Sequence, residues 1–278
     1  MSGASGPPRP DLRHERRLAR RGQGPIAGLD EVGRGALAGP IYAAAVLLPV
    51  ERRGLLQALS HVRDSKLLTP PQRRRCAAEI RRLALDWALG EAASDEVDRW
   101  GPLEATRLAM RRAFDGLVVQ PRHVLIDHLR LPEMPCDQTP LTHGDALVLT
   151  IAAASILAKV ARDQAMEGLS SIYPTYGFSR NKGYGTASHL QALRRWGPCP
   201  IHRRSFEPVA VLVAPALRNA GRRGGDDVRR PLHGQPDREG RPLAGPAESC
   251  DPAAVPIEDL LANGQPQAGA GNAPGPAG

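Results

Sequence analysis

Lysine is nearly missing from this chain. Of its 37 basic residues only Lys66, Lys159 and Lys182 are lysine. An ammonium is a compact, strongly hydrated point charge that a planar guanidinium fork does not replace, so these positions are candidates for sites that require one. Chance placement is the plain alternative. Cysteine is also sparse: Cys76, Cys136, Cys199 and Cys250 stand far apart with no CxxC spacing. That argues against a zinc site or a disulfide framework and fits a reducing, cytoplasmic setting. No apolar run is long enough to span a bilayer, and the Arg-rich start lacks the hydrophobic segment of a secretion signal, so we expect a soluble protein with no membrane partner. Aromatic residues make up only 4% of the chain, which makes any local crowding of them informative.

Composition divides what is present. Over residues 215–278 about a third of the positions are Gly or Pro and hydrophobic runs are nearly absent, so this tail is expected to be disordered. Residues 1–22 carry six arginines against Asp11 and Glu15 and are expected to form a disordered basic arm. Residues 23–214 remain as one folded domain with room for a substantial core. The formal net charge is +8, of which the arm carries +4, the tail −1 and the folded part +5. A basic domain with a basic arm suits a polyanionic partner, although such a balance also serves solubility alone.

The stretch IAGLDEVGRGALAGPIYAAAVLL, residues 26–48, organises the rest. IAGL and IYAAAVLL read as two buried strands joined by a Gly-rich connection. Asp30 and Glu31 lie between them. Successive strand side chains point to opposite faces, so the two acids address one site only if the chain bends there. Gly33 and Gly35 permit positive φ and close ligand approach, and Arg34 between them offers a cation suited to phosphate. A solvated acidic turn in an ordinary hairpin is the competing reading.

Further along, residues 55–59 read as a short helix. In DSK, Ser65 and Lys66 place a hydroxyl and an ammonium in a loop where either could meet a phosphate, or where the cluster simply caps a helix. Thr69 followed by two prolines starts a helix whose apolar rhythm, Cys76, Ile80, Leu83 and Trp87, extends over 72–89. Residues 95–118 read as a helix or helix pair, with Leu103, Thr106, Met110 and Phe114 on its core side. HVLID, 123–127, is a bounded strand ending on Asp127, and a carboxylate is expensive to bury without a cation or donors. Asp145 reads as the N-cap of a helix from 146 to about 166. On such a helix Asp163 lies about 27 Å from Asp145 and Lys159 about 21 Å, so both are assigned to ion pairing or packing. Over 173–206, Tyr173, Tyr176, Phe178, Lys182, Tyr184, His202, Arg203, Arg204 and Phe206 interleave aromatic and basic groups with glycines. Such an array suits stacking and phosphate contact on a nucleic-acid surface.

Asp30, Glu31, Asp127 and Asp145 are oxygen donors without His or Cys partners, a set that favours Mg2+ or Mn2+. Several carboxylates on a sheet edge beside phosphate-approachable loops fit two-metal phosphodiester cleavage. Sequence gives no distances, so separate sites or a single ion stay open.

Taken in order, LDEVGRG, DSKLL, LID, GD with IAAASILAKVARD, and NKGYGT with HRRSF resemble the bacterial ribonuclease HII family. The resemblance runs over about 26–209. It implies an α/β ribonuclease H-like fold, a mixed central sheet flanked by helices, with a helical C-terminal portion. It also implies a monomeric endonuclease cutting on the 5′ side of ribonucleotides in RNA/DNA hybrids or embedded in duplex DNA, leaving 3′-hydroxyl and 5′-phosphate ends. On matching positions Asp30, Glu31, Asp127 and Asp145 would be the catalytic, metal-binding acids. Gly33, Arg34 and Gly35 would recognise the ribose 2′-hydroxyl, and Tyr184 would pack on the adjoining deoxyribose; Ser65, Lys66 and Lys182 join them as substrate-binding candidates. Two departures stand out: LIDHLRLP replaces the usual DGN, and HGD replaces KGD. A catalytically silent nucleic-acid-binding protein of the same fold is the alternative expectation.

Overall fold

The computed structural model describes residues 9–213; residues 1–8 and the tail expected over 215–278, with Cys250, lie outside them. A five-stranded mixed sheet has strand order β3-β2-β1-β4-β5. β1 (Ile26–Val32) and β2 (Ile41–Leu47) form an antiparallel hairpin, and β3 (Asp86–Ala92) continues it antiparallel to β2. On the other side β4 (His123–Asp127) and β5 (Asp137–Leu141) run parallel to β1. The central strands are apolar on both sides because helices cover both faces. The helix α6 (Leu149–Ile172) and α3 (Pro70–Leu83) pack on one face with Ala44 and Val46, while α4 (Ser94–Asp115) covers the other with Leu29, Ala43 and Ala45. Among the described residues no helix is long and apolar enough to cross a membrane.

Local chemistry explains most boundaries. α3 starts at a capping box in which the Gln72 amide N–H donates to Thr69 Oγ1 and the Thr69 amide to Gln72 Oε1, with proline in the first turn. It ends at Leu83, short of the expected 89, because Trp87 and Leu89 pair with Val46 and Ala44 in β3. Ladder pairing there overrides the helical spacing. Asp86 fixes the strand start by accepting the amides of Trp87, Val118 and Val119. α4 is interrupted at Gly101 (φ 77°) before Pro102, giving the expected pair of helices. β5, whose sequence DQTPL is polar and contains a proline, has no counterpart in the sequence reading. It is an edge strand, where proline and polar residues are tolerated.

The largest departure lies at the front. The described part of the basic arm is not disordered: α1 (Arg13–Arg20) docks on the domain, with Leu12 and Glu15 buried. Arg13, Arg17 and Arg20 face outward, Arg16 donates to the Val50 carbonyl at 3.0 Å, and Leu18 and Ala19 pack beside Ile26, Val148 and Ile151. The arm's high charge masked these few inward residues.

Close approach of α6 to the sheet depends on Gly28. A Cβ at this position would collide with the backbone of Thr150 and Ile151, and interiors at this density do not yield to an added methyl. Gly28→Ala is therefore expected to lower unfolding stability by about 1–3 kcal/mol. The check is a urea midpoint that falls at unchanged slope.

Candidate active site

The site lies at the edge of the sheet where β1 and β4 end. β1 does not bend at its acids: pairing with β2 continues through Asp30↔Ala44 to Val32↔Tyr42. The expected bend is thus replaced by a regular strand that sends Asp30 to the α6 face and Glu31 to the opposite one. The β1–β4 pairing stops at Leu29↔Ile126, and beyond it Glu31 and Asp127 act on one another across the open edge.

Asp30 is 5% exposed. Burial, then the charges of Glu31 and Asp127, push its carboxyl well above the ordinary carboxylate range, against hydrogen bonding from Ser155 and the Glu31 amide. The Glu31 amide reaches Asp30 Oδ1 at 2.8 Å. Glu31 is raised by burial and by Asp127, while Arg34 and Lys66 lower it. Asp127 is raised by burial; the Gly144 amide, 2.7 Å from Oδ1, opposes this, and Asp145 adds to it. Asp145 is 7% exposed and lies 3.6 Å from the ammonium of Lys66. Burial weakens the Lys66 ammonium, but Asp145, Asp64, Asp30 and Asp127 together hold it charged and raise its proton affinity.

The four acids thus form one electrostatic unit with Lys66 at its mouth. Among the described residues no three His, Cys, Asp or Glu side chains are drawn together as a ready cation cage. The carboxylates repel one another and turn to the nearest donors: Lys66, the Gly144 amide and the Glu31 amide. An oxygen-only donor set with excess negative charge nonetheless fits a hard divalent cation, which would neutralise the repulsion that raises these groups.

Asp145 is not a helix cap. The helix expected from 146 breaks at Val148, with Asp145 in the single turn α5 (Gly144–Leu147) and α6 beginning at Leu149. Ser65 is also not a free hydroxyl in a loop. It is 6% exposed, sits 3.1 Å from Ser155 Oγ, and so supports the residue that reaches Asp30. Lys66 is the outward member of that pair, with its side chain 81% exposed.

The glycines divide likewise. Gly33 (φ 96°) is glycine because a Cβ would strike the Arg162 guanidinium, whereas Gly35 has open space around it. Arg162 is fully buried and donates to the carbonyls of Pro40 (2.9 Å), Lys182 (2.9 Å) and Ala38 (3.3 Å). Arg203, equally buried, donates to Gly39 and, at 2.8 Å, to Arg34. Two buried cations thus clamp the 33–40 loop, and the ring of Tyr184 lies over Arg162 at 5.3 Å. The Tyr184 carbonyl is fixed by His189 Nδ1 at 2.9 Å, and the Gly183 carbonyl accepts from Leu37 at 2.8 Å. Lys182 is turned away from the acids and binds Glu167 Oε1 at 2.6 Å. Part of the expected aromatic and basic surface is interior: Tyr176, Phe178, His202 and Arg203 are buried, whereas Tyr173, Lys182, Tyr184 and Phe206 are half-buried and Arg204 is exposed. Lys159 pairs with Asp163 at 2.7 Å, as its helical position implied. Ser155, Arg162 and Arg203 had no signal that set them apart from packing residues and surface arginines.

The proton affinities have a stability consequence. For Asp30, with an ordinary value of 3.8 and a folded value well above it, the unfolded chain binds fewer protons between the two. The destabilisation is absent below pH 3.8 and grows as pH rises through the folded value. Asp30→Asn is accordingly expected to stabilise the chelator-treated protein by about 0.5–2 kcal/mol at pH 8. The gain should shrink toward pH 4 in thermal unfolding scans.

Comparison with known proteins places the fold and the family. The solved ribonuclease H2 from Pyrococcus horikoshii OT3 has a similar fold, with TM-score 0.57 and 24% identity, covering 70% of this chain and 99% of that one. Ribonuclease HII of Moorella thermoacetica is 51% identical over 193 residues, 69% of this chain and 91% of the relative. Ribonuclease HII of Desulfitobacterium hafniense is 50% identical over 198 residues, 71% and 74% of the two. The family model described as Ribonuclease HII matches residues 27–209, the span that carries both the acid cluster and the clamped loops, and the chain belongs to the ribonuclease HII family.

Proposed function

We propose that the protein is a divalent-metal-dependent endonuclease that cuts on the 5′ side of ribonucleotides in RNA/DNA hybrids and in duplex DNA. The observation that carries this reading is the electrostatic unit of Asp30, Glu31, Asp127 and Asp145, open to solvent at Lys66 and flanked by the clamped 33–40 loop. Asp30, Glu31, Asp127 and Asp145 would hold Mg2+ or Mn2+, with two ions in the substrate complex. Bound there, the ions would supply Lewis acidity for activating water and for taking up charge on the departing oxygen. The protein contributes placement. Lys66, exposed beside Asp145, meets an approaching phosphate as a point charge and relinquishes Asp145 as it does so.

Recognition falls to the loops. The 2′-hydroxyl is the group that tells the target sugar from its DNA neighbours. Gly35 leaves room for a sugar at the loop surface, with Arg34 and the Gly33 backbone beside it. Tyr184, half-buried and backed by the Arg162 guanidinium, offers its other ring face to the next deoxyribose. Ser65 acts through Ser155 on Asp30, and Lys182 through Glu167, in place of direct phosphate contact.

The test is a duplex carrying one ribonucleotide, incubated with Mg2+ or Mn2+ and with EDTA, with product ends mapped. Metal-dependent incision 5′ to the ribonucleotide with 3′-hydroxyl and 5′-phosphate ends is expected. Binding without a nick would establish the silent binder instead. Asp30→Asn and Asp145→Asn should each lower the cutting rate at least about 100-fold, beyond the loss typical of groups one step removed from the ions, while duplex affinity and circular dichroism stay unchanged. Tyr184→Ala should reduce selectivity for the ribonucleotide junction over all-DNA duplex by about tenfold, as loss of one stacking contact does. Equal losses on both duplexes would contradict its role.

A further inference from the structure

The break between α5 and α6 is held by a part of the chain that the family match, beginning at residue 27, does not include. Val148 stands at the N-cap of α6 and has no side chain with which to cap it. The first amides of the helix are satisfied from the front arm. The Leu149 amide donates to the Asp11 carbonyl at 3.0 Å, and the Asp11 amide donates to the Leu147 carbonyl at 3.1 Å, a two-sided bridge across the break. The Thr150 amide and hydroxyl both donate to Glu15 Oε1, at 3.0 and 3.1 Å. A carboxylate at the N2 amide does what a capping side chain does locally, here from 135 residues away.

Glu15 is otherwise an unlikely residue to bury. It is fully enclosed, its second oxygen has no hydrogen-bond partner, and burial pushes its carboxyl up to about 7 against the two bonds from Thr150. A buried carboxyl held on a helix start has a packing consequence on both sides of the break. Asp145 lies three residues before Val148 and Ser155, which supports Asp30, lies seven after it. Rotation or fraying at 148–150 would move both.

We propose that Asp11 and Glu15 form a strap that fixes the α5–α6 junction, making Glu15 a positioning residue for Asp145 and, through Ser155, for Asp30. This rests on the assignment of those acids as metal ligands. Glu15→Ala removes the acceptor, whereas Glu15→Gln keeps an oxygen for the Thr150 donors and has the shape of the protonated acid.

The test uses the full chain and measures three quantities: amide exchange at Leu149 and Thr150, Mn2+ affinity by calorimetry without substrate, and kcat and KM on the single-ribonucleotide duplex. Glu15→Ala is expected to speed exchange at the two amides at least about tenfold. It should weaken Mn2+ binding and lower kcat by about 10- to 100-fold, the range for groups that orient metal ligands, with KM for duplex unchanged. Glu15→Gln should restore both to within about threefold. If Glu15→Ala does not fold, Thr150→Val, which deletes one of the two donors, should show the same split in smaller measure. Faster exchange with wild-type Mn2+ affinity and kcat would overturn the strap. Asp145→Asn is run beside it: wild-type Mn2+ affinity there would overturn the assignment of Asp145 itself, and the strap's purpose with it.

Discussion

Carboxylates that repel one another, confined at the end of a sheet, are the constraint around which this domain is built. Glu31 and Asp127 raise the proton affinity of Asp30, Asp127 raises that of Glu31, and Asp145 presses on Asp127 from the next element. Such a cluster opposes folding at neutral pH, so the surrounding structure must supply the stability to hold it. Hydrogen bonding across the hairpin fixes Asp30 and Glu31, the Gly144 amide fixes Asp127, and Lys66 stands against Asp145. A site that is unfavourable for the bare protein is one in which an incoming cation would relieve the repulsion.

The 33–40 loop is held by the opposite charge. Arg162 and Arg203 are fully buried, and burial lowers the proton affinity of both. They spend their donors on backbone carbonyls: Ala38, Pro40 and Lys182 for one, Arg34 and Gly39 for the other. A guanidinium can satisfy several carbonyls at once in a fixed plane, which an ammonium cannot. Loops otherwise free to open are thereby tied to α6 and to the chain near 203. The same helix carries Ser155 toward Asp30 and Arg162 toward the loop, so the acid cluster and the 33–40 loop share one support.

Much of this was legible in the letters because it is local. The apolar runs of β1, β2 and β4, the proline and capping signals of α3, and acids at strand ends all follow from propensity and spacing. What could not be read depends on contacts between distant segments. Trp87 and Leu89 fit the helical rhythm of α3 equally well, and only β2 decides against it. Ser65 reads as a loop hydroxyl until Ser155 is seen beside it. Glu15 reads as one acid in an arginine-rich arm until its carboxyl is found on Thr150. Asp145 has the composition of an N-cap, yet the helix starts four residues later, because Asp11 and Glu15 satisfy the amides that an N-cap would have served.

The two departures from the family pattern become intelligible on the backbone. His128 (φ 56°) and His143 (φ 58°) both occupy the left-handed region, which costs an ordinary side chain about 1–2 kcal/mol. At 128 the more usual DGN would place glycine, for which that conformation is free of strain. Here a histidine accepts it, with its amide donating to Leu141 at 3.0 Å and its imidazole next to Asp127, whose proton affinity it helps to lower. The strain is tolerated because flanking pairs fix the chain on both sides: Asp127 with Leu141 in β5, and Gly144 with Asp127. The histidine therefore places an imidazole beside the acid cluster on a backbone that the two flanking pairs hold in place.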